Sequence, residues 1–264
     1  MGNYFGNDAN SSYNALQVKV QNQMSHGLQF IAHYTWSRAL NYNSGYYAID
    51  KAYAYGPDDQ NRPQVFVLNL VYQLPFGKGR AFGGSAGKVE NAFIGGWQIT
   101  STSNYSAGLP FTPSYNECGS INDVGVCVPN KGNLANWKMG GGSYNNQTHT
   151  VTFFTPQPLG NAWLEPAPGT LGNAGNYSLT GARSFTTDAS IMKDFGLTER
   201  FKLQFRMDAF NLFNHPVLGF NGNQGNFCVD CISNGKVFNN AGVVTSLDGN
   251  ITMRELQFAL RLSF

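Results

Sequence analysis

Apolar and polar residues alternate with a period of two in several segments of this chain. In the segment 257–264, Phe258, Leu260, Leu262 and Phe264 fall on one side of an extended chain, and mostly polar residues fall on the other. Because successive side chains of a β-strand point to opposite faces, this alternation predicts a strand with one apolar face. Reading the whole chain in this way predicts seven strands: 13–21, 28–36, 64–74, 96–105, 185–193, 201–209 and 257–264.

The connections between the predicted strands differ systematically in length. Short turns at 22–25 and 195–199 alternate with long polar loops at 38–63 and 214–250, and the longest connection contains a predicted hairpin around 148–155. Barrels of the bacterial outer membrane show this asymmetry, with tight turns on the periplasmic side and long loops outside. The connection lengths therefore favour an up-and-down order of antiparallel strands.

Aromatic residues collect at both ends of the predicted strands. Aromatic belts of this kind are typical of side chains that sit at the two interfaces of a lipid bilayer. We therefore predict an all-β fold, an antiparallel up-and-down transmembrane β-barrel segment of about seven or eight strands with long extracellular loops. A soluble secreted β-sandwich, whose polar faces meet water, is the alternative. The belt residues are Trp36, Tyr105 and Phe185 at the long-loop end, and Tyr72, Trp97, Phe201 and Phe264 at the short-turn end.

The composition excludes several classes of partner. Charged residues make up 12% of the 264 residues, and the net charge of +2 is too small to indicate nucleic acid. No apolar run of about 18 residues predicts a transmembrane helix. Residues 1–7 lack the basic and apolar regions of a signal peptide, so we expect that this chain is a truncated part of a longer protein.

Short strings along the chain carry a family resemblance. In this order and spacing they resemble the C-terminal barrel of Oar-like TonB-dependent outer-membrane receptors, a group that often carries a carboxypeptidase-regulatory-like domain. The strings are SYNALQ at 12–17, YTWS at 34–37, RP at 62–63, VYQLPFG at 71–77, GGWQ at 95–98, GLPF at 108–111, LQFR at 203–206 and FNLFNHP at 210–216.

This resemblance implies a larger parent protein in the outer membrane of a Gram-negative-type envelope. Residues 1–264 would be the C-terminal part of a barrel of about 22 strands, with the plug and N-terminal strands absent. The parent would transport a bulky substrate with energy supplied by the TonB system, which it would contact through the missing N-terminal part. The implied partners are outer-membrane lipid, an unknown extracellular ligand and the barrel-assembly machinery, and Phe258, Leu260, Leu262 and Phe264 resemble the terminal signal that this machinery reads.

The four cysteines fall in two pairs, each within one long loop. Because the envelope is oxidising, we expect two local disulfides, formed by Cys118 with Cys127 and by Cys228 with Cys231. The spacing Cys228-x-x-Cys231 also occurs in zinc sites, and free thiols are a further alternative. No histidine cluster accompanies the pair, so we predict no metal site.

Tyrosines crowd the first long loop. They predict a ligand-binding vestibule at the mouth of the barrel, where aromatic faces stack on a sugar or another ligand. The alternative is a loop whose aromatic side chains pack on one another. The residues are Tyr42, Tyr46, Tyr47, Tyr53 and Tyr55.

Catalytic chemistry has little support in the sequence. His33, Asp188 and Ser190 would face the barrel interior, but they lie on the second and fifth strands, which are not neighbours in an up-and-down order. The stretch 77–80 is a basic turn, because it lacks the Lys-Ser/Thr ending of a phosphate loop. We therefore predict no enzyme activity and no cofactor. A small barrel acting as a surface binding or adhesion protein is the alternative function.

Overall fold

The computed structural model describes residues 9–42, 51–116, 128–140, 144–198, 200–219, 227–238, 240–247 and 253–264. In chain order, its elements up to residue 111 are β1 (Ser12–Ser25), β2 (Leu28–Tyr42), α1 (Lys51–Ala54), β3 (Tyr55–Pro57), β4 (Gln64–Gln73), α2 (Lys88–Ile94), β5 (Trp97–Ser106) and β6 (Pro110–Phe111). They continue with β7 (Asn130–Lys131), a 3-10 helix (Leu134–Asn136), β8 (Tyr144–Asn145), β9 (Thr150–Thr152), β10 (Trp163–Leu164), β11 (Leu179–Thr180), β12 (Ser184–Gly196), β13 (Lys202–Phe210), β14 (Ile232–Ser233), β15 (Lys236–Val237), β16 (Val243–Val244) and β17 (Glu255–Ser263).

The long strands form one antiparallel sheet, which we call the strand wall, in the order β1-β2-β4-β5-β12-β13-β17. These are the seven strands that the alternation predicts, and each lies beside the next long strand along the chain, so the up-and-down order is confirmed. Over the described residues the sheet is not closed, because β1 and β17 each have a single neighbour. The short β3 is an eighth strand of this sheet, but it pairs with one end of β2 and does not cross the wall.

The pairing registers bring the main apolar positions of all seven strands to one face, although β4 also places Val65, Val67 and Val71 on the other face. Side chains of residues directly opposite each other lie on the same side of a sheet, so each registered pair assigns a common face. Polar residues share the other face, as in Ser190 opposite Asp208 and Asn69 opposite Thr102. Pairs that join the apolar face include Leu16 with Trp36, Tyr34 with Phe66, Phe66 with Tyr105, Tyr105 with Phe185, and Met207 with Phe258.

The first hairpin is tighter and longer than the pattern predicts. Strand β1 continues to Ser25, and only His26 and Gly27 form the turn, with φ of 51° and 81°. Positive φ at both central residues is the requirement of a type I′ turn, which matches the twist of the flanking strands. Gly27 meets this requirement without steric cost.

The expectation that an irregular loop begins near residue 38 was wrong. Strand β2 continues to Tyr42 because β1 pairs with it as far as Leu40 and β3 pairs with its last three residues. Ala39 also bonds to two residues of the loop that follows β3. The Ala39 carbonyl accepts from Asp58 N at 3.1 Å, and its N–H donates to Asn61 Oδ1 at 3.1 Å. Residues that return from the loop thus complete the backbone hydrogen bonds that keep this segment extended.

The two longest connections fold together into a second body, which we call the loop assembly (described residues of 107–183 and 211–254). Its core contains Trp137 edge-on to Trp163 at 5.3 Å between ring centroids, and Phe111 stacked on Phe227 at 4.6 Å. The predicted hairpin is present as β8 and β9, and it begins earlier, at Tyr144. Strand β16 of the other connection extends this hairpin to three strands. The buried core residues are Phe111, Val128, Trp137, Phe153, Phe154, Ala162, Trp163, Ala174, Val229 and Val244.

The connection between β4 and β5 contains the short helix α2, which the sequence pattern did not predict. Asn91 of this helix accepts from Lys78 N at 2.6 Å and fixes the helix against the preceding turn. Among the described residues, no helix has the length and apolar character needed to cross a membrane.

Candidate functional site

A cavity of about 560 Å³ lies where the loop assembly meets the end of β13. Its wall is largely apolar, with a few polar groups, which is the usual composition of a small-molecule site. The segment after β13, the β8–β9 hairpin and the β16 region all contribute to it. The lining residues are Tyr144, His149, Val151, Asn211, Asn214, Pro216, Val217, Leu218, Val244, Thr245, Ser246, Leu247 and Met253.

Several polar groups of this cavity come from two turns, and Thr245 and Ser246 of the β16 region add others. Tyr144 Oη lies 2.9 Å from His149 Nδ1 across the β8–β9 hairpin, where His149 has a φ of 54°. Asn211 holds the turn that follows β13: its Oδ1 accepts from His215 N at 3.0 Å, and its Nδ2 donates to the His215 carbonyl at 3.1 Å. Asn214 Oδ1 accepts from Arg254 N at 3.1 Å, which ties the turn to the start of β17.

Sequence reasoning missed this site. The string at 210–216 contributed to the family resemblance, but no ligand role was assigned to its residues. A signal was present: Asn211 and Asn214 tolerate the positive φ that both adopt (48° and 49°), and Pro216 ends the turn. Such a signal predicts a turn, whereas the cavity depends on three segments that are distant in sequence.

The predicted tyrosine vestibule lies partly within the described residues. Tyr42 and Tyr55 contact each other across the β2–β3 pair, with ring centroids 5.0 Å apart, and Tyr53 packs against the core of the loop assembly. Tyr46 and Tyr47 lie outside the described residues. Tyr42, Tyr53 and Tyr55 pack on protein and do not line the cavity, so the vestibule stays a prediction.

A polar cluster occupies the polar face of the wall beside a pocket of about 240 Å³. Arg206 Nε donates to Asp208 Oδ1 at 2.7 Å, and Ser190 Oγ donates to the same carboxylate. Asp188 Oδ1 accepts from Asn211 N at 2.8 Å. His33 is on β2, and β4 and β5 separate that strand from β12, so His33, Asp188 and Ser190 do not form a triad. The cluster is the arrangement expected of a water-facing barrel interior.

The Cys228–Cys231 disulfide is present, as the first cysteine interpretation predicted. The bridge joins the two sulfurs, so in this structure the pair is not two free thiols. Hydrogen bonds tie the bridged turn to the other long connection: Asn116 N donates to Asp230 Oδ1 at 2.8 Å, and Val229 N donates to the Ser114 carbonyl at 2.8 Å. Cys118 and Cys127 lie outside the described residues, so their pairing stays a prediction.

The proposed assembly signal lies along the outer edge of the wall. The side chains of Phe258, Leu260 and Leu262 are exposed on the apolar face of β17, and Phe264 follows with its ring 6.5 Å from that of Phe201. One side of this strand pairs with β13, and over the described residues its other side has no neighbouring strand. Within the part of the chain that the structure describes, the strand therefore presents both an apolar face and an unpaired backbone edge.

A family model described as an outer membrane beta barrel domain matches residues 2–257. This range includes six of the seven long strands completely and the start of β17. No curated protein and no solved structure matches the chain.

Proposed function

The chain belongs to the outer membrane beta barrel domain family and lies in the outer membrane, and from this premise we propose that it is the barrel portion of an Oar-like TonB-dependent receptor. In this proposal the parent protein carries a plug and a TonB box on the same polypeptide, and residues 1–264 form the C-terminal part of its barrel. The function is energy-coupled transport of a bulky substrate, without chemical conversion of that substrate. Membership of the family sets aside the soluble β-sandwich.

The loop assembly with its 560 Å³ cavity is the observation that carries this proposal. Ordering long loops costs conformational entropy, and here buried aromatic side chains such as Trp163 and Phe154 offset that cost. A cavity that is formed before the ligand arrives avoids the ordering cost on binding. A preformed extracellular site suits a receptor that captures a dilute substrate.

The interior face of the wall supplies the second requirement of a transporter, a polar route. Asn69 with Thr102 and the cluster around Asp208 present hydrogen-bonding groups on the face opposite the lipid. Such groups keep an aqueous interior hydrated around a plug or a passing substrate. In this proposal they contact water and substrate and carry out no catalysis.

Transport is tested in cells that make the natural full-length protein. We expect that these cells deplete at least one compound from a defined mixture of extracellular metabolites, and that a protonophore or deletion of the gene stops this depletion. Val217→Trp would fill the cavity and stop it too. Val237→Trp, at an exposed position on β15 outside the cavity, is the matched control and leaves uptake unchanged.

Energy coupling has a separate readout. If the parent contacts the TonB system, cross-linking in intact cells will yield an adduct between the two proteins. If neither the adduct nor protonophore-sensitive uptake were found, the proposal would be contradicted.

A surface binding or adhesion protein is the second candidate function. It is favoured by the separate core of the loop assembly, which would make a stable extracellular surface whether or not the barrel transports anything. Ligand binding to whole cells that persists with a protonophore, without uptake, would select this function. Val217→Trp would weaken that binding if the cavity holds the ligand.

A further inference from the structure

We propose that the β4–β5 connection, residues 75–96, together with the adjoining strand ends, forms a binding site for one anionic phospholipid of the periplasmic leaflet. In this site an acyl chain occupies an apolar groove, and the basic residues Lys78, Arg80 and Lys88 hold the lipid phosphate. The inference rests on the outer-membrane location of the chain, and it is independent of whether the protein transports.

The groove continues the lipid-facing surface of the wall. It has a volume of about 440 Å³ and lies at the short-turn end of the strands, which faces the periplasm in outer-membrane barrels. Trp97 and Ile191 lie on the apolar face of β5 and β12, so the groove opens where the acyl chains of the bilayer already contact the protein. Its lining residues are Leu74, Phe76, Phe82, Gly83, Phe93, Ile94, Trp97 and Ile191.

Large apolar side chains around the groove are so exposed that contact with water would be unfavourable. Phe82 is 59% exposed, Phe93 73% and Val89 76%. Val89 and Phe93 are four residues apart on α2 and therefore share one helix face. Aromatic and apolar side chains at this level of a membrane protein are typical of residues that enter the lipid interface.

Hydrogen bonds hold these side chains in place. Gly77 N donates to the Phe82 carbonyl at 2.8 Å, and Trp97 Nε1 donates to the Phe93 carbonyl at 2.9 Å. Gly77 packs so closely on Gly95 that a Cβ on Gly77 would lie 2.6 Å from the Gly95 Cα. The shape of the groove is therefore determined by close backbone packing within the connection.

The charge of the connection matches an anionic headgroup. Lys78, Arg80 and Lys88 are all exposed, and Glu90 is the one acidic residue of 75–96. Arg80 Nη2 donates to Gln73 Oε1 at 3.3 Å, a neutral group on the polar face of β4, so its charge stays free and its side chain has to turn outward to reach a headgroup. Long basic side chains beside an apolar surface reach the phosphate level while their stems cover the lipid chains.

Together these features identify a phospholipid as the occupant. The apolar part of the groove is open to the bilayer side, and the cations belong to the connection at the end of the strands. A phospholipid meets both conditions, because its apolar acyl chains and its charged phosphate are joined in one molecule. Its apolar part would face the groove and its phosphate would face the cations. A free phosphate would not use the exposed phenylalanines.

Trp97 supplies a direct probe of the groove. The protein is extracted from outer membranes and placed in nanodiscs of phosphatidylcholine that contain a minor fraction of phosphatidylglycerol with brominated acyl chains, which quench tryptophan. Trp36→Phe removes the other lipid-facing indole, while Trp137 and Trp163 are buried in the loop assembly. We expect Trp97 to meet brominated phosphatidylglycerol at roughly fivefold or more its bulk mole fraction.

Matched variants separate the two parts of the site. K78Q/R80Q/K88Q is expected to return the quenching of Trp97 to the bulk value, whereas K131Q/K138Q/K236Q removes three exposed cations from the loop assembly and leaves it unchanged. F82S/F93S is expected to reduce quenching, whereas F201S, at the same end of the wall but on another turn, is not. Heat-modifiable migration confirms that each variant is folded.

Three results would overturn the site. Quenching at the bulk mole fraction in the parent protein would show no preference for the anionic lipid. Equal loss in both triple variants would show a general effect of charge. Quenching below the bulk value would show that another occupant, such as a second copy of the chain or a periplasmic protein, covers the groove.

Discussion

At the scale of single residues, Lys193 shows how the wall accommodates a charge on its apolar face. The register places Lys193 opposite Trp97 and Phe205, and its side chain is 4% exposed. Its ammonium group lies 4.9 Å from the ring centroid of Trp97 and 4.8 Å from that of Phe195, and it donates to the Gly95 carbonyl. Two aromatic faces and a carbonyl thus replace the water that a lysine loses on burial.

We expect Lys193→Ala to destabilise the junction between β12 and the β4–β5 connection. The substitution removes two cation–π contacts and leaves the Gly95 carbonyl without this donor, so the free energy of unfolding should fall by about 1–3 kcal/mol. Urea unfolding in detergent micelles, followed by tryptophan fluorescence, measures the change. Lys202→Ala removes an exposed lysine from the next strand and should have little effect. Equal effects of the two substitutions would contradict this role for Lys193.

The Cys228–Cys231 bridge should act locally. Closing a short loop stabilises a fold by roughly 2 kcal/mol through the entropy of the unfolded chain. C228S/C231S should therefore increase the rate of amide hydrogen exchange in 227–238 and leave the heat-modifiable migration of the barrel unchanged. Mass mapping without reduction should identify the Cys228–Cys231 link, and it also tests the predicted link between Cys118 and Cys127. Faster exchange throughout the wall would show that the bridge has a wider role.

At the scale of elements, the register of β17 with its one neighbour shows which of its side chains lie on the apolar face and which lie on the polar face. Phe258 pairs with Met207 on the apolar face, and Gln257 pairs with Asp208 on the polar face. Adjacent residues of one strand therefore meet lipid and water respectively. This difference makes the strand a sensitive test of the wall.

Phe258→Arg should destabilise the barrel far more than Gln257→Arg. An arginine on the lipid face costs about 2–4 kcal/mol at the middle of the bilayer, whereas an arginine at position 257 lies on the polar face opposite Asp208 and stays hydrated. Reversible unfolding in lipid vesicles gives the two free energies. Similar costs for both variants would mean that the faces are assigned wrongly.

Deletion of Phe264 should impair insertion of the protein into the outer membrane. The exposed apolar residues and free edge of β17 are suited to capture by strand addition, which is how an assembly machinery could recognise them. The measurement is the heat-modifiable fraction in isolated outer membranes, with Ser263→Ala as a control on the polar face. An undiminished fraction after the deletion would refute the assembly role.

At the scale of the whole molecule, the strand wall and the loop assembly are the two largest parts of the described chain, and they are stabilised differently. The wall depends on backbone pairing and on lipid contact with its apolar face, because side chains such as Leu260 have no protein cover. The loop assembly has a buried aromatic core like that of a soluble domain. Their stabilities should therefore be separable by mutation.

Trp163→Ala should loosen the loop assembly and leave the wall intact. Trp163 is 1% exposed, and truncating such a side chain costs about 3–5 kcal/mol. Limited proteolysis should then cleave within 128–180, while migration of the unheated barrel stays unchanged. Leu164→Ala, at the exposed neighbouring position, should resist cleavage as the parent protein does. Loss of the folded barrel in Trp163→Ala would show that the two bodies depend on each other.

The sequence by itself determined the seven long strands, their faces and their order. A strand has a local period of two, so the alternation of residues such as Phe258 and Gln257 shows both the element and the side that meets lipid. The Cys228–Cys231 bridge was predictable for the same reason, because its partners are close in the chain. Strand ends were less predictable, since β3 decides where β2 ends.

Only the tertiary structure decided the loop assembly, the cavity and the groove. Trp137 and Trp163, or Asn116 and Asp230, come together through a chain path that has no regular period, so no local pattern indicates their contact. Helix α2 is short and depends on Asn91 holding the preceding turn, and the groove requires β4, α2 and β12 in one place. Local alternation specifies a membrane-spanning wall, whereas the sites on it arise from contacts between segments that are distant in sequence.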